Sequence, residues 1–178
     1  MNSYLLAVTP PQNIIEKVDE YKNKYRKHTY SISPHITILP PFYIDGSLED
    51  FEIKLSVILK DTVPEKIKID SIDYFENGND TNVIYFKPNG ESIQYLRKIF
   101  STCFSTLKDE IKNKYEDYPR DYNPHLTISS KVSDIDFLKI KKELINVKEV
   151  FEFKIKSIDI YTQQEDSGVW EKIKEFYL

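Results

Sequence analysis

Apolar positions along the chain switch between the period of a strand and the period of a helix, and the switches mark out alternating elements. Residues 4–8 form a continuous apolar run closed by Thr9-Pro10-Pro11, which reads as a buried strand. Ile14, Ile15, Val18 and Tyr21 then fall at helical spacing, predicting a helix over 12–24 with Pro11 suited to its first turn. Pro34 opens a short strand over 35–39, and Pro40-Pro41 is expected to stop it. Leu48, Phe51, Leu55, Ile58 and Leu59 stripe a helix within 47–60, with Ser47 as its cap and Asp50 three residues on in an imperfect capping box.

The middle of the chain reads as a hairpin. Ile67, Ile69 and Ile72 lead into Asp73-Tyr74-Phe75, the turn-rich residues 76–80 follow, and residues 82–86 return. Pro88-Asn89-Gly90 turns into a long helix over 92–112 carrying Ile93, Leu96, Ile99, Phe100, Phe104, Leu107 and Ile111. After a polar stretch, Pro124 opens a strand over 125–130, a helix is expected near 134–144, and the alternation from Phe151 to Lys156 predicts a strand running on towards Tyr161. The stretch from Gly168 and Trp170 to Leu178 closes the chain. Strands and helices are interspersed and much of the pairing looks antiparallel, so the expected class is α+β.

Composition narrows the class of function. The chain has 178 residues, 25 Lys+Arg against 29 Asp+Glu, and a net charge of −4, so no global positive field draws it onto DNA or RNA. One Cys excludes an internal disulfide and a multi-Cys zinc site, and Cys103, inside an apolar stretch, reads as a core residue. The first ten residues lack a basic segment before their short apolar run, and no run reaches the ~20 apolar residues of a membrane helix. A soluble, cytoplasmic protein without a membrane partner is expected, as one domain over residues 1–178 and as a monomer.

One segment occurs twice. Ser33-Pro34-His35-Ile36-Thr37-Ile38 and Asn123-Pro124-His125-Leu126-Thr127-Ile128 share Pro-His-(Ile/Leu)-Thr-Ile, 90 residues apart. A duplicated half-domain, with one copy in each of two interleaved lobes, accounts for it. Side chains alternate faces along a strand, so His35 and Thr37 share one face while Ile36 and Ile38 anchor the other. His125 and Thr127 repeat this. Two imidazoles and two hydroxyls facing each other suit phosphodiester chemistry. Near neutral pH one imidazole can take a proton while the other gives one, and threonine hydroxyls can donate to phosphate oxygens as charge develops. Neither a metal nor a cofactor is required, and no metal-ligand cluster stands out. The copies absorb two of only three His; His28 lacks the motif and reads as a surface residue.

At these residues the chain resembles the 2H phosphoesterase superfamily, often labelled 2′-5′ RNA ligase-like, which is named for two His-x-(Thr/Ser)-x motifs. The likeness extends to Pro34 through Phe42, the first strand with its Pro-Pro exit, and a last strand followed by Trp170 and Phe176. It implies a bilobal α+β fold with pseudo-twofold duplication, in which two antiparallel sheets flank a central cleft and helices cover the outer faces. It also implies metal-independent hydrolysis of 2′,3′-cyclic phosphates or 2′-5′ linkages in RNA ends or nucleotides. By motif match His35 and His125 are the catalytic pair, and Thr37 and Thr127 the phosphate binders. Many members carry a basic residue five positions after the second His; here Ser130 stands there and Lys131 follows. Strand parity puts His125, Thr127, Ser129 and Lys131 on one face, from which Lys131 reaches a phosphate, the alternative being a solvated strand end.

With 13 Tyr and 10 Phe, base contacts have many candidates; Phe42, Tyr43, Tyr122 and Tyr161 are nearest the motifs or on the last predicted strand. The basic residues 22–27 read as a solvated helix end, and Arg120 as a marginal phosphate contact. Two alternatives share the same constellation: a non-catalytic module that binds nucleotides or RNA ends, and an RNA 2′-5′ ligase running the reaction in reverse.

Overall fold

The computed structural model describes residues 2–25, 32–114, 122–164 and 168–178. In chain order the elements are β1 (Ser3–Val8), α1 (Gln12–Tyr25), β2 (Ile36–Ile44), α2 (Leu48–Leu59), β3 (Lys66–Phe75), β4 (Asn82–Pro88), α3 (Gly90–Leu107), β5 (Ile111–Asn113), β6 (Leu126–Val132), α4 (Asp134–Leu144), β7 (Phe151–Lys154), β8 (Ser157–Gln163) and β9 (Trp170–Tyr177). Three helices begin at caps of one kind. The side-chain oxygens of Ser47, Asn89 and Ser133 accept the backbone N–H three residues on, at 3.0, 3.0 and 3.2 Å, each filling a donor that the first helical turn leaves open. No helix among the described residues is long and apolar enough to cross a membrane.

The strands form one curled antiparallel sheet in the order β7-β3-β4-β6-β2-β1-β8-β9, with β5 added beside β2. The two sheets expected are therefore wings of a single sheet, joined where Ile36 of β2 meets Leu126 of β6. This order is a palindrome about that junction. Strand β2 answers β6, β1 answers β4, β8 answers β3 and β9 answers β7. Strand β3, which follows α2, is paired with β4, whereas β8, which follows α4, is paired with β1. Each half of the chain thus completes its wing with a strand from the other half.

One face of the sheet is buried under the helices. Leu6, Val8, Ile36, Ile38, Ile84, Phe86, Leu126, Ile128, Ile158 and Ile160 line it, against Ile14 and Val18 of α1, Leu55 of α2, Leu96 and Cys103 of α3 and Ile140 of α4. Cys103 is fully buried there, and burial pushes its thiol up to about 12, in keeping with an inert core residue.

Three features depart from the sequence reading, each for a backbone reason. Strand β2 runs through Pro40-Pro41 to Ile44 instead of stopping. The register against β1 slips by one residue on either side of Leu6, between the pairs Ala7–Thr37, Leu6–Leu39 and Tyr4–Phe42; such bulges absorb residues that cannot donate to a ladder. Helix α3 ends at Leu107, not at 112. Residues 111–113 instead pair with Phe42–Ile44, an edge that β6 does not reach. The run from Phe151 to Tyr161 splits after Lys154, and its halves pair with β3 and with β1, in opposite wings.

Candidate active site

The open face of the sheet, away from the helices, is built by the alternate residues of the strands. Ala7 pairs with Thr37 and with Asp159, and Leu5 pairs with Tyr161. In the other wing Tyr85 pairs with Thr127 and with Asp73. The two rows correspond position by position, and the rings that lie against the histidines follow the same rule. Tyr161 sits 6.2 Å from His35 between ring centres, and Phe75, in the equivalent place, sits edge-on 5.1 Å from His125.

Both imidazoles are oriented from behind. His35 Nδ1 lies 2.9 Å from the Ser33 carbonyl and His125 Nδ1 lies 2.8 Å from the Asn123 carbonyl. A carbonyl only accepts, so each Nδ1 carries the hydrogen and each Nε2 is left to act on a ligand. The segments that supply these carbonyls are themselves held by cations from the preceding helices: Lys22 Nζ donates to Ile32 O at 3.5 Å and Arg97 Nε to Tyr122 O at 3.0 Å. Tyr122 then donates its hydroxyl to Thr37 O at 2.6 Å, tying the approach to the second motif onto the backbone of the first.

Two cavities flank the junction of the wings, and each mixes the motifs. A cavity of about 180 Å³ is lined by His35 together with Thr127, Ser129, Ser130, Ile32 and Lys22. A second, of about 420 Å³, is lined by His125 together with Thr37, Asn123, Tyr122, Phe75, Pro40 and Pro41. Each histidine therefore shares a cavity with the threonine of the other motif. A groove between α2 and β9 holds none of these side chains.

Burial drives the electrostatics. It pushes His35 down to about 4, helped by the positive charges of Lys22 and His125 and opposed by the Ser33 carbonyl. It lowers His125 as well, against the Asn123 carbonyl. A histidine depressed in the folded state is protonated more readily in the unfolded chain, so its contribution to stability is present above pH 6.5 and is lost as pH falls towards 4. Urea unfolding between pH 7 and 4 should show a steeper acid loss for the native chain than for His35→Asn; parallel curves would contradict this.

The aromatic candidates separate. Tyr122 lines the larger cavity, stacked on Phe100 at 4.4 Å between ring centres, and Tyr161 borders His35 while its hydroxyl meets Thr9 Oγ1 at 2.7 Å. Phe42 is not at the cleft. It is fully buried between Tyr4 and Phe51 in the core. Tyr43 is paired opposite Lys112 of β5 and lines neither cavity.

Lys131 also leaves the expected arrangement. The register between β4 and β6 slips by a residue between the pairs Tyr85–Thr127 and Ile84–Ser129, and again before Asn82–Val132, matching the bulges of β2. Alternation is lost after Thr127. Ser129 is buried, and Lys131 takes a left-handed φ of 53°, is exposed and lines neither cavity.

Sequence reasoning missed Lys22 and Phe75. In the sequence Lys22 reads as part of a solvated helix end, yet it is only 7% exposed. The signal was its place four residues after Val18 and eight after Ile14, on the buried stripe of α1. Phe75 shares the open face with Asp73 by simple alternation. Arg26, Lys27, His28 and Arg120 lie outside the described residues.

The chain is similar to known proteins over nearly its whole length. A protein of Bacillus mycoides (strain KBAB4) named "Putative phosphoesterase" is 27% identical over 176 residues, covering 97% of this chain and 95% of its own. One of the same name from Staphylococcus epidermidis is 28% identical over 179 residues, covering 97% of each. Among solved structures, LigT of E. coli superposes with a TM-score of 0.66 at 14% identity over 99% of this chain and 96% of its own. TT0787 of Thermus thermophilus does so with 0.69 at 16% identity over 99% and 97%. These two show the fold. The sequence model of the 2′-5′ RNA ligase superfamily matches residues 10–167, both motifs included, and the chain belongs to that superfamily.

Proposed function

We propose that this protein is a metal-independent phosphodiesterase that opens 2′,3′-cyclic phosphates or cleaves 2′-5′ linkages of nucleotides or RNA ends. His35 and His125 act as the acid–base pair, and Thr37 and Thr127 hold the phosphate. The observation that carries this reading is the crossed pairing, His35 with Thr127 in one cavity and His125 with Thr37 in the other. A phosphate at the junction meets an imidazole and a hydroxyl from each side. In-line displacement at phosphorus needs that arrangement, with a base at the attacking oxygen and an acid at the departing one. The Nδ1 contacts leave both Nε2 atoms for these transfers. LigT, of the same fold, has been crystallised with 3′-AMP and with phosphate, which supports a nucleotide substrate.

The net charge of −4 favours a small ligand or an RNA end over a long duplex. The test is a panel of 2′,3′-cyclic nucleotides, 2′-5′-linked dinucleotides and RNA ending in a cyclic phosphate, with the product phosphate located by ³¹P NMR. Turnover of any of these in excess chelator is expected. Saturable binding without product establishes a non-catalytic binding module instead.

A further inference from the structure

Helices α2 and α4 occupy equivalent places in the two halves of the chain, each leading to the strand that completes the other wing. Their outward surfaces are not equivalent. Along α4, Ile135, Leu138, Lys142 and Ile145 follow one another at steps of three, four and three residues, which sets them on one side of a helix. Phe137, Ile140 and Leu144 take the opposite side and are buried in the core. Ile135, Leu138 and Ile145 are 83, 61 and 75% exposed. Ile145 caps α4 with helical backbone angles, so it prolongs the row. Lys139 and Lys142, both exposed, give the face its charge. Three large aliphatic side chains in one exposed row, at heptad-like spacing, suit a helix that enters a groove.

The chain carries a groove of the opposite charge. Between α2 and β9 lies an open depression of about 800 Å³ with apolar walls from Leu48, Ile53, Phe176 and Tyr177. Ile53 and Tyr177 are more than half exposed. Glu49, Glu52 and Glu175 outnumber Lys174 along it. Lys174 pairs with Glu52, and Lys172, from outside the groove, pairs with Glu175, which leaves Glu49 to meet an incoming cation.

We infer that α4 of one molecule docks in the α2–β9 groove of a second copy, so that molecules associate head to tail. Charge selects this pairing over a symmetric one. A pairing of α4 with α4 gathers Lys139 and Lys142 of both molecules, and groove against groove sets Glu49 against Glu49. Head-to-tail docking instead brings the lysines to Glu49 and lays Ile135, Leu138 and Ile145 on Leu48, Ile53 and Tyr177. A contact between two different surfaces leaves one of each kind open at the ends, so further copies add until a ring closes. The helices cover the face of the sheet away from the cleft, so every copy keeps its cleft open. The inference is independent of the phosphodiesterase reading.

Sedimentation equilibrium from about 10 µM to about 1 mM, the range for a contact below standard interface size, reads the association. The average mass of the native chain should climb with concentration past two copies and fall back when salt screens the charges. Lys139→Glu/Lys142→Glu and Glu49→Lys should each weaken association at least about tenfold. All three positions are exposed, and circular dichroism checks that the variants fold. Mixed in equal amounts, the two variants should associate again, because each α4 then finds a groove of opposite charge on the other protein.

A native chain that stays at one copy throughout, or a mass that saturates at two copies, overturns the inference. Association indifferent to the charge reversals, or not restored by mixing, does the same. Co-sedimentation of a monomeric native chain with phosphatidylcholine–phosphatidylserine vesicles, lost in Lys139→Glu/Lys142→Glu, also overturns it and assigns the α4 face to a membrane surface.

Discussion

His125→Ala and His35→Ala are each expected to lower kcat on a 2′,3′-cyclic nucleotide by about 10²–10⁴-fold, the usual contribution of a positioned acid or base. The double variant should lose little more than the worse single one. Two groups that act in one transition state do not contribute additively once either is gone. Near neutral pH the fold should survive each change, because removing a half-buried imidazole also removes a group that burial disfavours in its charged form. Turnover followed by ion-exchange chromatography, with far-ultraviolet circular dichroism as the control for folding, checks both statements. Full activity in either single variant would end the acid–base assignment for that residue.

Phe42→Ala should act in the opposite way, on stability and not on chemistry. The ring is fully buried, 5.4 Å from Phe51 and 6.2 Å from Tyr4 between centres. Deleting it leaves a cavity that β2, paired on both sides, cannot collapse to fill. A loss of about 3–5 kcal/mol is expected, read as a lower urea midpoint. With about 2–4 °C per kcal/mol for a chain of this size, the melting temperature should fall by roughly 6–20 °C. At temperatures where the variant is still folded, its KM should match that of the native chain. A stable variant with a raised KM would return Phe42 to the list of base contacts.

The contrast between Phe42 and the histidines shows what pattern reading reaches. The alternation in Pro-His-Ile-Thr-Ile placed His35 with Thr37 and His125 with Thr127 on the open face, because those short segments are regular strands. Past Thr127 the same rule misplaced Lys131, whereas Phe42 was a candidate only through its nearness to the first motif, and alternation from Ile36 and Ile38 puts it on the core face where it lies. Each wing carries two bulges there, and a one-residue slip moves every later side chain to the other face. Nothing local in Ile128-Ser129-Ser130-Lys131 announces a bulge, which shows only in the register against β4. Lys22 went astray for a different reason. Its charge points to solvent, although its four-residue distance from Val18 puts it on the buried stripe of α1. The crossed cavities could not be read from either motif alone, because they depend on how β2 and β6 meet at Ile36 and Leu126. Long-range pairing decides that.

The palindromic strand order constrains when the histidines can come together. Tyr161 and Asp159 belong to β8 but complete the wing of β1, about 155 residues earlier in the chain. During synthesis, therefore, the His35 wing must wait with an open edge until β8 has been made. The two motifs mature in a single late event and not one after the other. Contacts this distant in sequence slow the search for the native state. They also prevent either half of the chain from closing by itself, so a chain cut short before β8 has no finished cleft in which to bind a nucleotide. Assembly of the site reports completion of the sheet.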